Sequence, residues 1–234
     1  MTDVLSSSPI PEQVLGESYE KLALFHEKLE REGELRGIIG PRDVDIIWER
    51  HILNSAALVP FIKKEINSLE ILKPIIGDIG SGGGFPGIII GTCLSDIDVY
   101  LVEPMERRIE WLNEVVAELN LTNVHVIRAR AQEVIPGKES NDVKRFLPKN
   151  YRGFDIVTCR AVAPMTKLTG MVFPLITSGG KLVALKGRSV DTELEKAAKE
   201  MKKYHAVSPH IFDAPVAQGL ESTRVLVVNK SSKK

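Results

Sequence analysis

Residues 76–87, IGDIGSGGGFPG, constrain the fold of this chain more than any other stretch. A short apolar run with Ile75, Ile76 and Ile79 enters Gly80, Gly82, Gly83 and Gly84, and Pro86 then opens a second apolar run, Ile88-Ile89-Ile90. Glycine serves where backbone takes positive φ or passes close to a ligand, both of which a Cβ penalises. The free N–H groups of such a loop, and of the helix start behind it, attract carboxylate or phosphate. The pattern therefore predicts a strand, a tight ligand-facing turn and a buried helix. By itself it does not name the ligand.

The rest of the sequence extends that unit. Strands are expected at Ile75–Ile79, Val99–Val102, Val124–Ile127, Phe154–Thr158 and Lys181–Leu185, with helices at Pro86–Leu94, Glu106–Leu119, about Met165–Leu175 and Asp191–Tyr204. Strands alternating with helices imply a doubly wound parallel sheet with right-handed crossovers. Two further β-rich runs, His205–Phe212 and Thr223–Asn229, are joined without a helix and predict a closing antiparallel pair, for seven strands in all. Before the sheet, residues 11–73 read as helices, with breaks at Gly33, Gly37, Gly40 and Pro41 and a helical run from Val44 to Leu58. The expected organisation is a helical extension over residues 1–73 and an α/β domain over residues 74–234. Residues 136–152 read as a polar, basic surface loop, and the first residues, with Asp3, Ser6, Ser7 and Ser8, as a polar tail.

At 234 residues the chain can bury one substantial core. Lys plus Arg and Asp plus Glu both number 31, which excludes a globally basic nucleic-acid binder but leaves room for a local basic face. Two cysteines, Cys93 and Cys159, are too few for a disulfide scaffold, and no C-x-x-C or His-rich cluster suggests a metal. No apolar leader or spanning run is present, so a reducing cytoplasm is the expected compartment.

Two ligands compete for the loop. A dinucleotide fingerprint asks for G-x-G-x-x-G after a strand, and Gly82, Gly84 and Gly87 fit it. A D-x-G-x-G-x-G loop for S-adenosylmethionine is met by Asp78, Gly80, Gly82 and Gly84. The closing strand pair favours the methyl donor, since a dehydrogenase half continues βαβ. Ligands of such sheets sit beyond the carboxyl ends of the strands. Glu103, 23 residues after Gly80, can accept both hydroxyls of a ribose, or simply favour a helix start. Ala131 and Gln132 follow the third strand, where an adenine contact would lie. Arg160 follows the fourth, suited to a donor carboxylate or to RNA phosphate. Lys186 and Arg188 follow the fifth, and with Arg130 and Arg160 suggest a local anion-binding face. Cys159 reads as a small buried residue rather than a nucleophile, and His51, beside Arg50, as a helix histidine within a polar patch.

Taken together, RHILNSAAL, DIGSGGGFPGI, LVEPMERRIEWLNEV, ELNLTNVHVIRARAQEV, FDIVTCRAVAPMTKL, GGKLVALKGR and TRVLVVN make the chain, over about residues 12–229, resemble the ribosomal RNA small subunit methyltransferase G (glucose-inhibited division protein B) family. The segment GELRGIIGPRD departs from the family's Tyr-Asn-Leu-Thr version. The resemblance implies a Rossmann-like class I methyltransferase sheet and methylation by S-adenosylmethionine of a guanine N7 (conventionally position 527) in the 530 loop of 16S ribosomal RNA. It further implies Gly80, Phe85, Ala131, Gln132 and Arg160 as cofactor contacts beside Asp78, Gly82 and Gly84, with Glu103 on the ribose. Arg50, His51, Arg130, Lys186 and Arg224, with Arg188, would face RNA. No catalytic base and no metal are expected, and the partner is 16S ribosomal RNA or the small subunit, bound by a monomer. A small-molecule methyltransferase, a nicotinamide oxidoreductase and a non-catalytic RNA-binding module remain the competing classes.

Overall fold

The computed structural model describes residues 3–232. Residues 1 and 2, and 233 and 234, at the outer ends of the two expected segments, lie outside them. The N-terminal part is helical: α1 (Ile10–Leu15), α2 (Tyr19–Lys28), a mixed-pitch run ending in α3 (Asn54–Ala56), and α4 (Val59–Leu69). The α/β part carries α5 (Gly87–Cys93), α6 (Glu106–Glu118), α7 (Asn141–Lys144), α8 (Met165–Val172) and α9 (Val190–Lys203). Its strands are β1 (Ile75–Ile79), β2 (Asp98–Glu103), β3 (Val124–Arg128), β4 (Phe154–Arg160), β5 (Ile176–Lys186), β6 (Ala206–Ala214) and β7 (Thr223–Lys230).

They form one sheet in the order β3-β2-β1-β4-β5-β7-β6. Strands β1 to β5 are parallel, and β7 runs antiparallel between β5 and β6. This is the class I methyltransferase sheet expected from the sequence. Near-continuous burial along β1, β2 and β4 explains why their sequences are unbroken apolar runs, since helices cover both faces.

Three local readings need correction. Strand β5 begins at Ile176, not Lys181, because Gly179 (φ 81°) and Gly180 stay within the strand where the β4 pairing slips register. At Gly180 a Cβ would sit 2.6 Å from the Asp155 carbonyl oxygen, so glycine here marks close backbone approach rather than a strand end. The 136–152 segment holds a turn of helix, α7, started by Ser140 accepting from the Val143 N–H. Asp3, grouped by sequence with a polar tail, is buried: it accepts from the Trp48 N–H at 2.7 Å and the Leu5 N–H at 2.9 Å, and faces His26 Nε2 at 3.2 Å.

The helical extension completes the core on one face of the sheet. Leu22, Phe25, Leu29, Trp48 and Ile52 pack in one apolar cluster with Ile88, Ile89, Trp111 and Leu112. Lys28, its side chain 4% exposed, places its ammonium 2.8 Å from Glu118 and 3.2 Å from Glu114 of α6, over the Trp111 ring. Packing thus crosses the element change near residue 73. Trp111 is fully buried and its indole N–H donates to the Gly83 carbonyl at 3.0 Å, linking this core to the glycine loop. Trp111→Phe leaves that carbonyl without a partner and a void beside it, and is expected to cost about 2 kcal/mol, read as a lower denaturant midpoint at unchanged m-value.

Candidate functional site

The loop after β1 is held from beneath. Asp78 is fully buried, and its Oδ2 accepts the Gly87 N–H at 3.1 Å while Oδ1 has no hydrogen-bond partner among the described residues. Gly80 and Gly82 take φ of 73° and 57°, and the Gly80 N–H returns to the Val102 carbonyl at 2.8 Å. Gly82 N–H donates to Glu103 Oε2 and Met105 N–H to Glu103 Oε1, each at 3.0 Å. Each carboxylate oxygen keeps a further lone pair for a ligand hydroxyl. These groups border a cavity of about 450 Å³ whose walls also include Phe85, Arg108 and Arg160. Arg108 lies 3.6 Å from Glu103, and its buried Nε has no hydrogen-bond partner.

The cavity therefore gathers Gly80, Gly82, Phe85, Glu103 and Arg160. Asp78 and Gly84 lie beneath it, with the position of a Gly84 Cβ only 2.6 Å from Ile88. Ala131 and Gln132 sit on a 3₁₀ turn after β3, the first buried and the second exposed, and do not line it. Sequence reasoning missed Ile38 and Arg108. Ile38 comes from the breaker-rich 33–41 stretch and presses on the loop, 2.7 Å from where a Gly83 Cβ would stand.

A second cavity, of about 720 Å³, shares His51, Arg160, Ala161 and Val162 with the first. His51 and Arg50 are delivered by a π-helical turn, Trp48–Leu53, an irregularity common at functional sites. The Arg160 guanidinium donates to the Arg50 carbonyl at 2.8 Å, meets His51 Nδ1 at 2.7 Å and lies 4.8 Å from the Phe85 ring centre. Burial pulls its pKa down to about 10, against the raising charges of Asp78 and Asp43, so Arg160 stays cationic at neutral pH. Ala161 follows in the left-handed region (φ 53°), strained for a residue with a Cβ.

The remaining cations on this rim are matched by acids. Lys186 pairs with Glu193 at 2.6 Å, Arg188 with Glu221 at 3.0 Å, Arg224 with Asp191 at 2.5 Å, and Arg50 with Asp43 at 3.0 Å. Arg130 is exposed beside β3, and Arg130, Arg188 and Arg224 line neither cavity. The anion-binding face read from the sequence is thus a mesh of ion pairs. Cys159 is buried, and burial pushes its thiol up to about 12, which keeps it protonated and poorly nucleophilic. Among the described residues no helix is long and apolar enough to cross a membrane.

Against known proteins, residues 18–216 match the family model described as rRNA small subunit methyltransferase G. The chain is similar to the ribosomal RNA small subunit methyltransferase G of Bifidobacterium longum, 50% identical with 98% of this chain and 100% of that one covered. It is also similar to that of Bifidobacterium adolescentis (51% identical, 98% and 96% covered) and of Corynebacterium glutamicum strain R (37% identical, 98% and 94% covered). Among solved structures, the fold resembles magnesium protoporphyrin IX methyltransferase from Synechocystis PCC 6803 with bound SAM, at TM-score 0.54, 12% identity, and 90% and 97% of the two chains covered.

Asp78 makes the loop's anchorage sensitive to pH. Burial pushes its carboxyl from 3.8 up to about 7, partly offset by hydrogen bonds from Ser81 and Gly87. The folded state thus holds a proton that the unfolded chain releases. The stability this gives is full below pH 3.8 and is lost as pH rises toward 7. Asp78→Asn keeps an acceptor for Gly87 and cannot ionise. Relative to the parent, its stability should rise through that window by at most about 1.4 kcal/mol per pH unit, measured by denaturant unfolding at a series of pH values.

Proposed function

The chain belongs to the rRNA small subunit methyltransferase G family, and from that premise we propose that it methylates N7 of one guanine in the 530 loop of 16S ribosomal RNA. It is a methyltransferase, and its methyl donor is S-adenosylmethionine. In this reading the donor lies in the smaller cavity, where Glu103 takes the ribose hydroxyls and the Gly80–Gly83 backbone and Phe85 border the nucleoside. Arg160 takes the carboxylate of its amino-acid end, over the buried Asp78. Ala131 and Gln132 contact the adenine from the turn beyond β3. The cavity suits such a ligand, because Glu103 retains acceptor capacity and Arg160 is a half-buried cation beside it.

The observation that carries the proposal is the wall of His51, Arg160, Ala161 and Val162 common to both cavities. One cavity holds the donor and the other admits a base to its reactive end. The donor supplies an electrophilic methyl group on a sulfonium. Guanine N7 carries a lone pair and no proton, so no residue of this chain has to remove one. The enzyme's task is then alignment, and that alone lowers the barrier by several kcal/mol. N7 lies on the Hoogsteen edge, open in a loop nucleotide once the base leaves its stack.

Arg50, Lys186, Arg188 and Arg224, with the exposed Arg130, contact the RNA. Those now paired to carboxylates exchange them for phosphates on binding, which makes association fall with salt. The protein acts as a monomer in the cytoplasm.

The test uses purified protein, tritium-labelled S-adenosylmethionine and small subunits lacking the modification. Label should appear as 7-methylguanosine in the 530 loop. Tight donor binding with no label on any ribosomal particle or RNA would overturn the RNA assignment in favour of a small-molecule methyltransferase.

A further inference from the structure

His51 is buried in the wall that the two cavities share. Its side chain is 9% exposed, its ring stacks on Phe85 at 4.8 Å, and its two nitrogens point to opposite charges. Nδ1 lies 2.7 Å from an Arg160 guanidinium nitrogen, and Nε2 lies 3.4 Å from Asp43 Oδ2, without a well-aligned hydrogen bond. A guanidinium only donates and a carboxylate only accepts. The arrangement is therefore consistent with one form of the ring alone: neutral, lone pair on Nδ1, hydrogen on Nε2.

Protonation would set a second donor against the guanidinium. The charged groups around the ring disfavour it on balance. Burial and the charge of Arg160 push His51 down to about 4, Arg50 adds to that, and Asp43 opposes it. Across the smaller cavity stand Glu103 and Arg108, and across the larger one Lys186 and Glu193.

We infer that Asp43 and His51 are positioning residues for Arg160: Asp43 fixes the tautomer of His51, whose Nδ1 then orients the guanidinium toward the carboxylate end of the donor. The inference rests on the reading of the smaller cavity as the donor site. It reassigns His51 from an RNA contact to a support beneath the cofactor. It also gives Asp43, which the sequence did not single out, a role at the site. Without this support Arg160 keeps its bond to the Arg50 carbonyl and its place over Phe85, but loses one of the contacts that fix its plane.

Two ligands separate this role from packing. S-Adenosylhomocysteine carries the amino-acid end, whereas 5′-methylthioadenosine has the same nucleoside and sulfur without it. By calorimetry, His51→Leu and Asp43→Asn should each weaken S-adenosylhomocysteine about tenfold, the size of one charge-assisted hydrogen bond, and leave methylthioadenosine within about twofold. His51→Asn, whose Oδ1 takes the place of Nδ1, should recover most of the loss. The Asp43 variant acts through the tautomer: an asparagine amide can donate to Nε2 and drive the hydrogen to Nδ1. Imidazole ¹⁵N shifts should show Nε2–H in the parent and a Nδ1–H population in Asp43→Asn.

Equal weakening of both ligands would make His51 a packing residue and overturn the inference, as would unchanged affinity for both. A rise in the RNA KM alone would do the same, since Arg160 would then serve RNA. Should His51→Leu fail to fold, Asp43→Asn, at a partly exposed position, decides the matter alone. A parent protein that binds neither ligand would instead refute the donor-site reading.

Discussion

Helix α5 begins closer to the sheet than any side chain allows, and the site depends on that contact. At Gly87 a Cβ would stand 2.2 Å from Leu101 and 2.6 Å from the Asp78 carboxylate, so the first residue of the helix has to be glycine. Its N–H then reaches Asp78, and the loop between them has to close in a few residues through left-handed backbone at Gly80, Gly82 and Gly84. The carboxylate that closes this turn is itself buried, so the loop is tied down by a group whose charge is costly there. What stands above the turn, Glu103 on one side and Arg160 on the other, is placed by strands β2 and β4 flanking β1.

Charge is managed differently in the two cavities. Near the glycine loop, polar groups are few and fixed: Glu103 is held by two backbone N–H groups, and Arg160 by a carbonyl and an imidazole. Such groups lose little entropy when a ligand arrives. At the larger cavity the Lys186–Glu193 pair is largely buried, whereas the nearby Arg188–Glu221 pair is exposed and of the kind worth only about 0–1 kcal/mol in water. In the function proposed above, an RNA phosphate displaces the exposed carboxylate at small cost. A chain with 31 basic and 31 acidic residues can thus present exposed cations locally while carrying no net charge.

The sequence made the sheet legible because its constraints are local. Buried parallel strands have to be apolar throughout, and the Asp78–Gly87 turn has to be glycine-rich, so the strand positions and the tight turn after β1 were readable from the sequence. The placement of Glu103 and Arg160 was readable for the same reason, as residues at the carboxyl ends of strands. What stayed hidden was long-range. His51 meets Arg160 across more than a hundred residues, from a π-helical turn that no periodicity marks, and Asp43 stands at the other side of its ring. Asp3 sits among serines, yet its partners are Trp48 and His26. Cations at strand ends were visible, but the acids matched to them, such as Glu221 and Asp191, lie on distant segments.

This division bears on where specificity resides. The β1 loop and Glu103 belong to a sheet whose fold is common to methyltransferases only 12% identical in sequence, and a fold by itself selects no substrate. The larger cavity, by contrast, takes Asp43, Arg50, His51 and Asn54 from the N-terminal helices and closes them against residues that follow β4 and β5. Those helices cannot be a detachable module, because Phe25 and Trp48 share a core with Ile88 and Trp111. Arg160 is where the two parts meet: it rises from a strand of the sheet and is oriented by the helices. The larger cavity therefore has a wall set by the same contacts that shape the smaller one, and in the function proposed above one structural joint aligns donor and acceptor.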